Sequence, residues 1–267
     1  LIFPANPEDY TNRGSIVTPL KDRIGSQILT HYPRNREIAK QITKQEVQAV
    51  EKQMPNVYIP ELARDVLEQI SFEARKSDYV DAKSGVSARM SITAFENLLS
   101  TAERRMLMNG DEKTSLRMAD FLGVISAING KIELVYEGEQ EGAEQISYYL
   151  ITQAVKTLFS NYFPEVKKLE KADEIGPYDT LLGWFFKDNE LFLEDTLNDK
   201  NYCALLDNLP GVEPLLKKHQ SESRPEDRYF LIEFLLWGLE AHKKLNKYRT
   251  LEGFQFKDTL GSYISRL

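Results

Sequence analysis

A hydrophobic rhythm of three and four residues runs through most of this chain and restricts it to a fold built from helices. Residues 91–108 are the clearest case, with apolar side chains spaced for one helix face at Ile92, Phe95, Leu98, Leu99, Ala102 and Met106. The same rhythm predicts long helices over 34–51, 60–76, 115–129, 144–162 and 226–248, and shorter ones over 200–207 and 212–218. The sequence therefore predicts a mainly α protein.

The first 33 residues depart from this pattern. Residues 1–3 are typical of the end of a buried strand that Pro4 stops, and residues 26–33 alternate as a short edge strand does. Pro19 suits the first position of a short helix, and Gly25 suits its end. These features predict a short remnant of an α/β core. Because the chain opens in mid-pattern on Leu rather than Met, we expect that upstream sequence is missing or was removed.

The acidic run EGEQEG at 137–142 is bounded by glycine and is the best candidate for a domain boundary. We therefore expect three regions. Residues 1–33 form the remnant of the α/β core, residues 34–136 form a helical domain, and residues 143–267 form a second helical domain. The simplest structural interpretation of the acidic run is a solvated linker.

The composition excludes several classes of protein and of binding site. The net charge of −7 argues against a sequence-independent nucleic-acid sleeve, which needs a basic surface. Cys203 is the sole cysteine, so the chain can form neither an internal disulfide nor a thiolate metal cluster. The three histidines stand in unrelated contexts, and no apolar run approaches the length of a membrane helix. We therefore predict a cytoplasmic protein with no metal site, no membrane partner and no nucleic-acid partner.

Two stretches near the start resemble AAA+ ATPases of the magnesium-chelatase I-subunit and MoxR type. They are PANPEDYTNRG and, shortly after it, PLKDRIG. The resemblance implies that Asn6 is the sensor 1 residue, which positions the attacking water. It also implies that Arg23, beside Asp22, is the arginine finger that stabilises the transition state on a neighbouring subunit. The sequence between the two elements is longer than in the family, so Arg13 is a second candidate for the arginine finger.

A third stretch, GVSARMS at 85–91, resembles the sensor 2 element of the same family, which lies just before a helix of the lid. The resemblance implies that Arg89 contacts the γ-phosphate of the nucleotide bound by its own subunit. It also makes residues 34–136 the AAA+ lid, and it is specific over about residues 1–140. Implied partners are other AAA+ subunits in a ring and a protein substrate or adaptor that the ring remodels or into which it inserts a metal or cofactor.

The loop that binds nucleotide phosphates is not in this sequence. No G-x-x-x-x-G-K-[ST] motif occurs, and the acidic pair Asp111 and Glu112 follows Gly110 in a polar stretch rather than an apolar strand. We therefore expect ATP and Mg²⁺ to act in the complete protein, and neither to bind this chain tightly by itself.

Each candidate residue also has an interpretation that involves no function. Asn6 before Pro7 is an ordinary turn pair, and Arg23 beside an aspartate is an ordinary surface ion pair. The alternative function is accordingly a non-enzymatic helical interaction module of AAA+ ancestry that no longer uses ATP. Arg89 favours the first hypothesis, because a cation is electrostatically misplaced at the positive end of a helix unless an anion binds there.

Overall fold

The computed structural model describes residue 2 and residues 22–48, 53–166 and 176–258. Contacts divide the chain into one unit at Leu1–Pro33 and another at Arg34–Leu267. In the first unit, Asp22 and Arg23 lie in a turn, and residues 24–33 have no regular secondary structure. Ile28 and Leu29 are exposed. The edge strand predicted at 26–33 was therefore wrong, because these residues pair with no neighbouring strand.

The second unit begins with helices and two short strands. In chain order they are α1 (Arg36–Glu46), β1 (Val57–Tyr58), α2 (Glu61–Ala74), α3 (Arg89–Asn109) and β2 (Thr114–Ser115). A 3-10 helix (Met118–Val124) then runs into α4 (Ile125–Asn129) and α5 (Tyr136–Glu141). Strands β1 and β2 pair in parallel, with Val57 opposite Thr114 and Tyr58 opposite Ser115.

The rest of the unit mixes helices with a small sheet. Its elements are α6 (Ala143–Tyr162), α7 (Asp179–Phe185), β3 (Leu191–Glu194), α8 (Asp199–Asp207), α9 (Val212–His219), a 3-10 turn (Pro225–Asp227), α10 (Arg228–Ala241), β4 (Asn246–Arg249) and β5 (Gly253–Lys257). The three strands form an antiparallel sheet with β5 in the centre. The described chain is therefore mainly helical, as predicted, but residues 143–258 carry a sheet that the helical pattern did not predict.

Helix α6 lies at the centre of the core. It packs against α2 and against α10, and the side chains of Leu150, Ile151, Ala154, Val155, Leu158 and Phe159 are fully buried. Gly238 lets α10 approach closely, because a Cβ atom at that position would lie 2.0 Å from the ring of Phe159. The buried apolar residues on either side of 137–142 belong to one continuous cluster. The run EGEQEG itself forms most of α5, with Gly138 buried.

Two helices differ from their predicted extent for identifiable reasons. The first half of the helix predicted over 115–129 is instead a 3-10 helix, whose buried apolar side chains are Met118, Phe121 and Val124, at the spacing of three that a 3-10 helix presents on one face. The helix predicted over 226–248 ends at Ala241 because Lys243 adopts a left-handed backbone with φ of 61°. The chain then reverses into β4.

Candidate functional site

The structure places two of the three predicted site residues. Asn6 lies outside the described residues, as does Arg13. Arg23 lies in the turn of the first unit with its side chain exposed. Arg89 is the first residue of α3, and its side chain is also exposed. Arg23 belongs to the first unit and Arg89 belongs to the second.

Within the described part of the chain, no carboxylate neutralises Arg89. Its backbone N–H donates to the Oγ atom of Ser87 at 3.2 Å, and no described residue forms an ion pair or hydrogen bond with its guanidinium group. The N-terminal turn of α3 contains no acidic residue. A cation at the positive end of a helix dipole gains no stabilisation from that dipole.

Buried hydrogen bonds hold the start of α3 against the neighbouring helices. The hydroxyls of Ser91 and Ser71 share a hydrogen bond of 2.6 Å, and the hydroxyl of Thr43 donates to Glu68 at 2.5 Å. Burial raises the pKa of the Glu68 carboxyl, although the hydrogen bond from Thr43 opposes that shift. Ser91 lies two residues after the start of α3 and turns into the core. Helices α1, α2 and α3 are therefore joined below Arg89.

The loop that leads to Arg89 is tied to the segment before α5. The Asp81 N–H donates to the carbonyl of Glu133 at 2.8 Å, and the Val135 N–H donates to the carbonyl of Tyr79 at 3.0 Å. Gly138 comes so close that a Cβ atom there would lie 2.7 Å from the same Tyr79 oxygen. The acidic run predicted to be a linker therefore acts as a support for the loop at 77–88.

A second polar feature is a buried cluster of charges, here called the charge cluster, formed by Arg105, Arg117, Asp120, Asp199 and Glu233. Arg105 lies on α3, and its guanidinium group donates to Asp120 at 2.9 Å, to Asp199 at 3.2 Å and to the hydroxyl of Thr114 at 2.8 Å. Burial acts to lower the pKa of Arg105, but the carboxylates of Asp120 and Asp199 outweigh it and raise that pKa.

Arg117 extends the charge cluster toward α8. It donates to the carboxylate of Asp199 at 2.6 Å and to the carbonyl of Leu197 at 2.9 Å. Its guanidinium carbon lies 3.9 Å from the centre of the Tyr202 ring, within cation–π range. These contacts connect residues from both sides of the predicted boundary at 137–142.

Glu233 closes the charge cluster from α10. Its carboxylate accepts hydrogen bonds from the Met118 N–H at 2.8 Å, the Ala119 N–H at 3.2 Å and the Tyr202 hydroxyl at 2.8 Å. Burial raises the pKa of Glu233, while the hydrogen bonds from Tyr202 and Met118 act to lower it. The carboxylate therefore caps the start of the 3-10 helix.

A groove of about 620 Å³ opens beside the charge cluster. Its apolar wall comes from the segment around β1 and includes Met54, Pro55 and Ile59. Arg64 and Lys113 also line it, as do Asp199, Cys203, Glu226 and Tyr229. Burial raises the pKa of the Cys203 thiol, and burial with a hydrogen bond to Asp207 raises the pKa of Tyr229 to about 12. Both shifts favour the protonated thiol and the protonated phenol.

Within 22–48, 53–166 and 176–258, no group of three or more His, Cys, Asp or Glu side chains is arranged to hold a metal ion. None of the helices in those ranges has the length and apolar content needed to cross a membrane.

No family model, curated protein or solved structure matches this chain.

The charge cluster and the groove were not predicted from the sequence. The available signal was a charge inside an apolar stripe: Arg105 stands between Ala102 and Met106 on α3, and Glu233 stands in the apolar run of α10. Because charged side chains are almost never fully buried without partners, each of these positions indicates a buried charge held by a counter-ion or by hydrogen bonds. The identity of the partners depends on long-range packing that the sequence pattern does not contain.

Proposed function

We propose that this chain is the lid and C-terminal part of an AAA+ ATPase that couples ATP hydrolysis in an oligomeric ring to remodelling a protein partner. The observation that carries the proposal is Arg89. Its guanidinium group is exposed and without a described partner on the first residue of a 21-residue helix. Such a position combines a helix N-terminus with an exposed cation, which is an arrangement that binds phosphate groups.

The support around Arg89 fits this role. A residue that contacts nucleotide must be held at a fixed place, and the Ser71–Ser91 hydrogen bond and the contacts of the loop at 77–88 supply that rigidity. In the proposal, Arg23 acts on the nucleotide of a neighbouring subunit, Asn6 orients the attacking water, and an upstream segment supplies the phosphate loop and the Mg²⁺ ligands.

The test uses the longer parent protein, in which the upstream segment is joined to this chain. Arg89→Ala should weaken ATP binding and slow turnover, because a lid arginine touches the ground-state nucleotide. Arg23→Ala should leave binding nearly intact and slow turnover by on the order of three powers of ten, as loss of an arginine finger does. Lys83→Ala is the control, because Lys83 is exposed in the same loop.

A mixing experiment separates the two arginines further. A subunit with Arg23→Ala and an intact phosphate loop should regain activity when assembled with a subunit whose phosphate loop is inactivated but whose Arg23 is intact. If Arg23→Ala left turnover within about threefold of the parent, the finger would move to Arg13. If neither arginine affected turnover, and Arg89→Ala left ATP affinity unchanged, the ATPase proposal would be wrong.

The groove beside the charge cluster favours the alternative function, a non-enzymatic interaction module. Under that alternative, the parent protein would not hydrolyse ATP at all. The groove would remain the functional surface.

A further inference from the structure

Strand β4 turns two charged side chains toward the core. Lys247 lies opposite Phe256 on β5, and Arg249 lies opposite Phe254. Both phenylalanines are fully buried. Because directly opposite residues of an antiparallel pair project from the same face of the sheet, Lys247 and Arg249 share that buried face. The side chain of Lys247 is only 6% exposed. An ammonium group at such a position is costly unless it is paired and hydrogen-bonded.

The amine of Lys247 lies between an indole ring and a carboxylate of α10. Its Nζ atom is 3.4 Å from the centre of the Trp237 ring and 3.1 Å from Oε2 of Glu240. Trp237 and Glu240 are three residues apart, so one side of α10 supplies both. Nζ and Oε2 are close but are not aligned for a hydrogen bond, and neither atom has a hydrogen-bond partner among the described residues. Lys247 is therefore buried without the hydrogen bonds that a purely structural lysine requires.

Three further buried polar atoms near this amine also lack a hydrogen-bond partner in the described part of the chain. They are Nε1 of Trp237, Oδ1 of Asp195 and the hydroxyl of Tyr148. Asp195 belongs to the group because its other carboxylate oxygen pairs with Arg249 at 2.6 Å. Burial raises the pKa of Tyr148, and the charges of Arg249 and Asp195 also act on it. Unpartnered polar atoms are rare in protein interiors, and five of the seven found in the described residues are gathered here. Such a concentration of donors and acceptors indicates a site for a polar ligand.

Burial also sets the protonation of the Lys247 amine. It lowers the pKa of Lys247, although the charges of Glu240 and Glu233 oppose that shift. A larger fraction of this amine is therefore neutral near neutral pH than at an exposed lysine, and the neutral amine is the nucleophilic form. The side chains of Glu240 and Asp195 are 25% and 29% exposed, so a small molecule reaches the amine from their side.

We propose that Lys247 is a nucleophilic amine that forms a Schiff base with a small aldehyde or ketone, and that Glu240 transfers the protons. The lone pair of Nζ attacks the carbonyl carbon and forms the N–C bond, while Glu240 moves one amine proton to the carbonyl oxygen. In the resulting carbinolamine, Glu240 moves the second amine proton to the hydroxyl group. The C–O bond then breaks, water leaves and the C=N bond forms. This inference does not depend on the ATPase proposal, because neither residue belongs to the proposed nucleotide site.

Reductive trapping on the 267-residue chain tests the reaction. The chain is incubated at about pH 6.5 with acetone and with cyanoborohydride in excess, so that imine formation sets the rate and each imine is reduced to a stable isopropylamine. Peptide mass spectrometry then gives the rate of modification at each lysine. Lys247 should react at least about tenfold faster than Lys243, because each unit by which a pKa falls gives about ten times more neutral amine. Lys243 is the matched control, since it is exposed and close in sequence.

Two variants separate the reaction from burial alone. Lys247→Met should fold, because an apolar side chain of similar length suits the contact with Trp237, and it should lose the rapidly formed adduct. Glu240→Gln removes a charge that raises the pKa of Lys247, so the fraction of neutral amine does not fall. It should nevertheless slow trapping at Lys247 by at least about tenfold, because the proton carrier is lost. Glu252→Gln, at an exposed position, is the control and should leave the rate unchanged.

Several results would overturn the proposal. One is a folded wild-type chain in which Lys247 reacts no faster than Lys243. Another is a Glu240→Gln chain that unfolds at the wild-type temperature and is trapped at the wild-type rate. A preference for Lys247 that persists in the urea-unfolded chain is a third, because the reactivity would then come from the local sequence rather than from the folded site. None of these measurements involves ATP, so failure here is distinct from failure of the ATPase proposal.

Discussion

The guanidinium group of Arg105 holds the carboxylate of Asp120 with two hydrogen bonds, from Nη2 to Oδ2 at 2.9 Å and from Nε to Oδ1 at 3.3 Å. Both side chains are 4% exposed, so water cannot replace either partner. The remaining donors of Arg105 reach Thr114, Asp199 and the carbonyl of Ser115. The arginine therefore connects α3 both to the 3-10 helix and to α8.

Arg105→Ala should destabilise the protein by about 3 to 5 kcal/mol, because it leaves the buried carboxylate of Asp120 without its counter-ion. Equilibrium unfolding in urea measures this change. Arg104→Ala is the matched control one residue earlier, since Arg104 is exposed, and it should change stability by less than about 0.5 kcal/mol. Equal losses for the two variants would contradict the importance of the buried pair.

Glu233→Gln should destabilise the protein by about 1 to 3 kcal/mol, because an amide has a single acceptor oxygen for three donors. Its NH₂ group would then face a backbone N–H or the Tyr202 hydroxyl. Amide hydrogen exchange at Met118 and Ala119 should accelerate in this variant. Glu226→Gln, at an exposed position, is the control, and a Glu233→Gln protein as stable as that control would refute the capping role.

Gly138→Ala should loosen the loop that precedes Arg89, because the added Cβ would lie 2.7 Å from the Tyr79 carbonyl oxygen. Hydrogen exchange of amides in residues 77–88 should rise, and stability should fall. Gly183→Ala is the matched control, since a Cβ in that helix meets nothing within 4 Å. There, alanine should stabilise by about 0.5 to 1 kcal/mol. Stabilisation by both substitutions would show that the loop does not depend on this approach.

The stability of the fold should fall on acidification through His242. Burial lowers the pKa of His242, and Lys156 lowers it further. Because the unfolded chain then binds the proton more tightly, the contribution of His242 is present above the unfolded pKa of about 6.5 and is lost as the pH falls through the lower folded pKa. In urea unfolding, His242→Gln should reduce the loss of stability between about pH 7.5 and pH 5.

His31→Gln is the control for that experiment, because His31 is exposed. If His242→Gln and the wild-type chain lost the same stability over this range, groups other than His242 would govern the acid response.

The sequence predicted the helices whose period is regular over many turns. The stripe on α3 is buried from Phe95 to Met106, and the predicted starts of α6 and α9 lie within one residue of the observed ones. It did not predict the sheet, because β4 continues a charged stretch and the alternation of Phe254 and Phe256 in β5 extends over only five residues. Phe254 and Phe256 are buried by pairing with β3, more than 50 residues earlier in the chain.

The sequence predicted the candidate site only where local periodicity determines it. A helix that starts near residue 90 follows from local periodicity, so the position of Arg89 at the start of a helix could be anticipated. The partners of Arg105 could not, because Asp199 comes 94 residues later and nothing in the local pattern connects the two. The ties of α5 to the loop at 77–88 are also long-range, which is why an acidic, glycine-bounded run was mistaken for a linker.

The hydrogen bond from Met118 to Glu233 spans 115 residues, and this separation has a consequence during synthesis of the chain. A ribosome adds about 5 to 20 residues per second, so the start of the 3-10 helix is made on the order of ten seconds before its acceptor. During that interval the guanidinium groups of Arg105 and Arg117 also lack Asp199. The nascent N-terminal half therefore emerges with unpaired charges and cannot complete its core before α8 and α10 leave the exit tunnel.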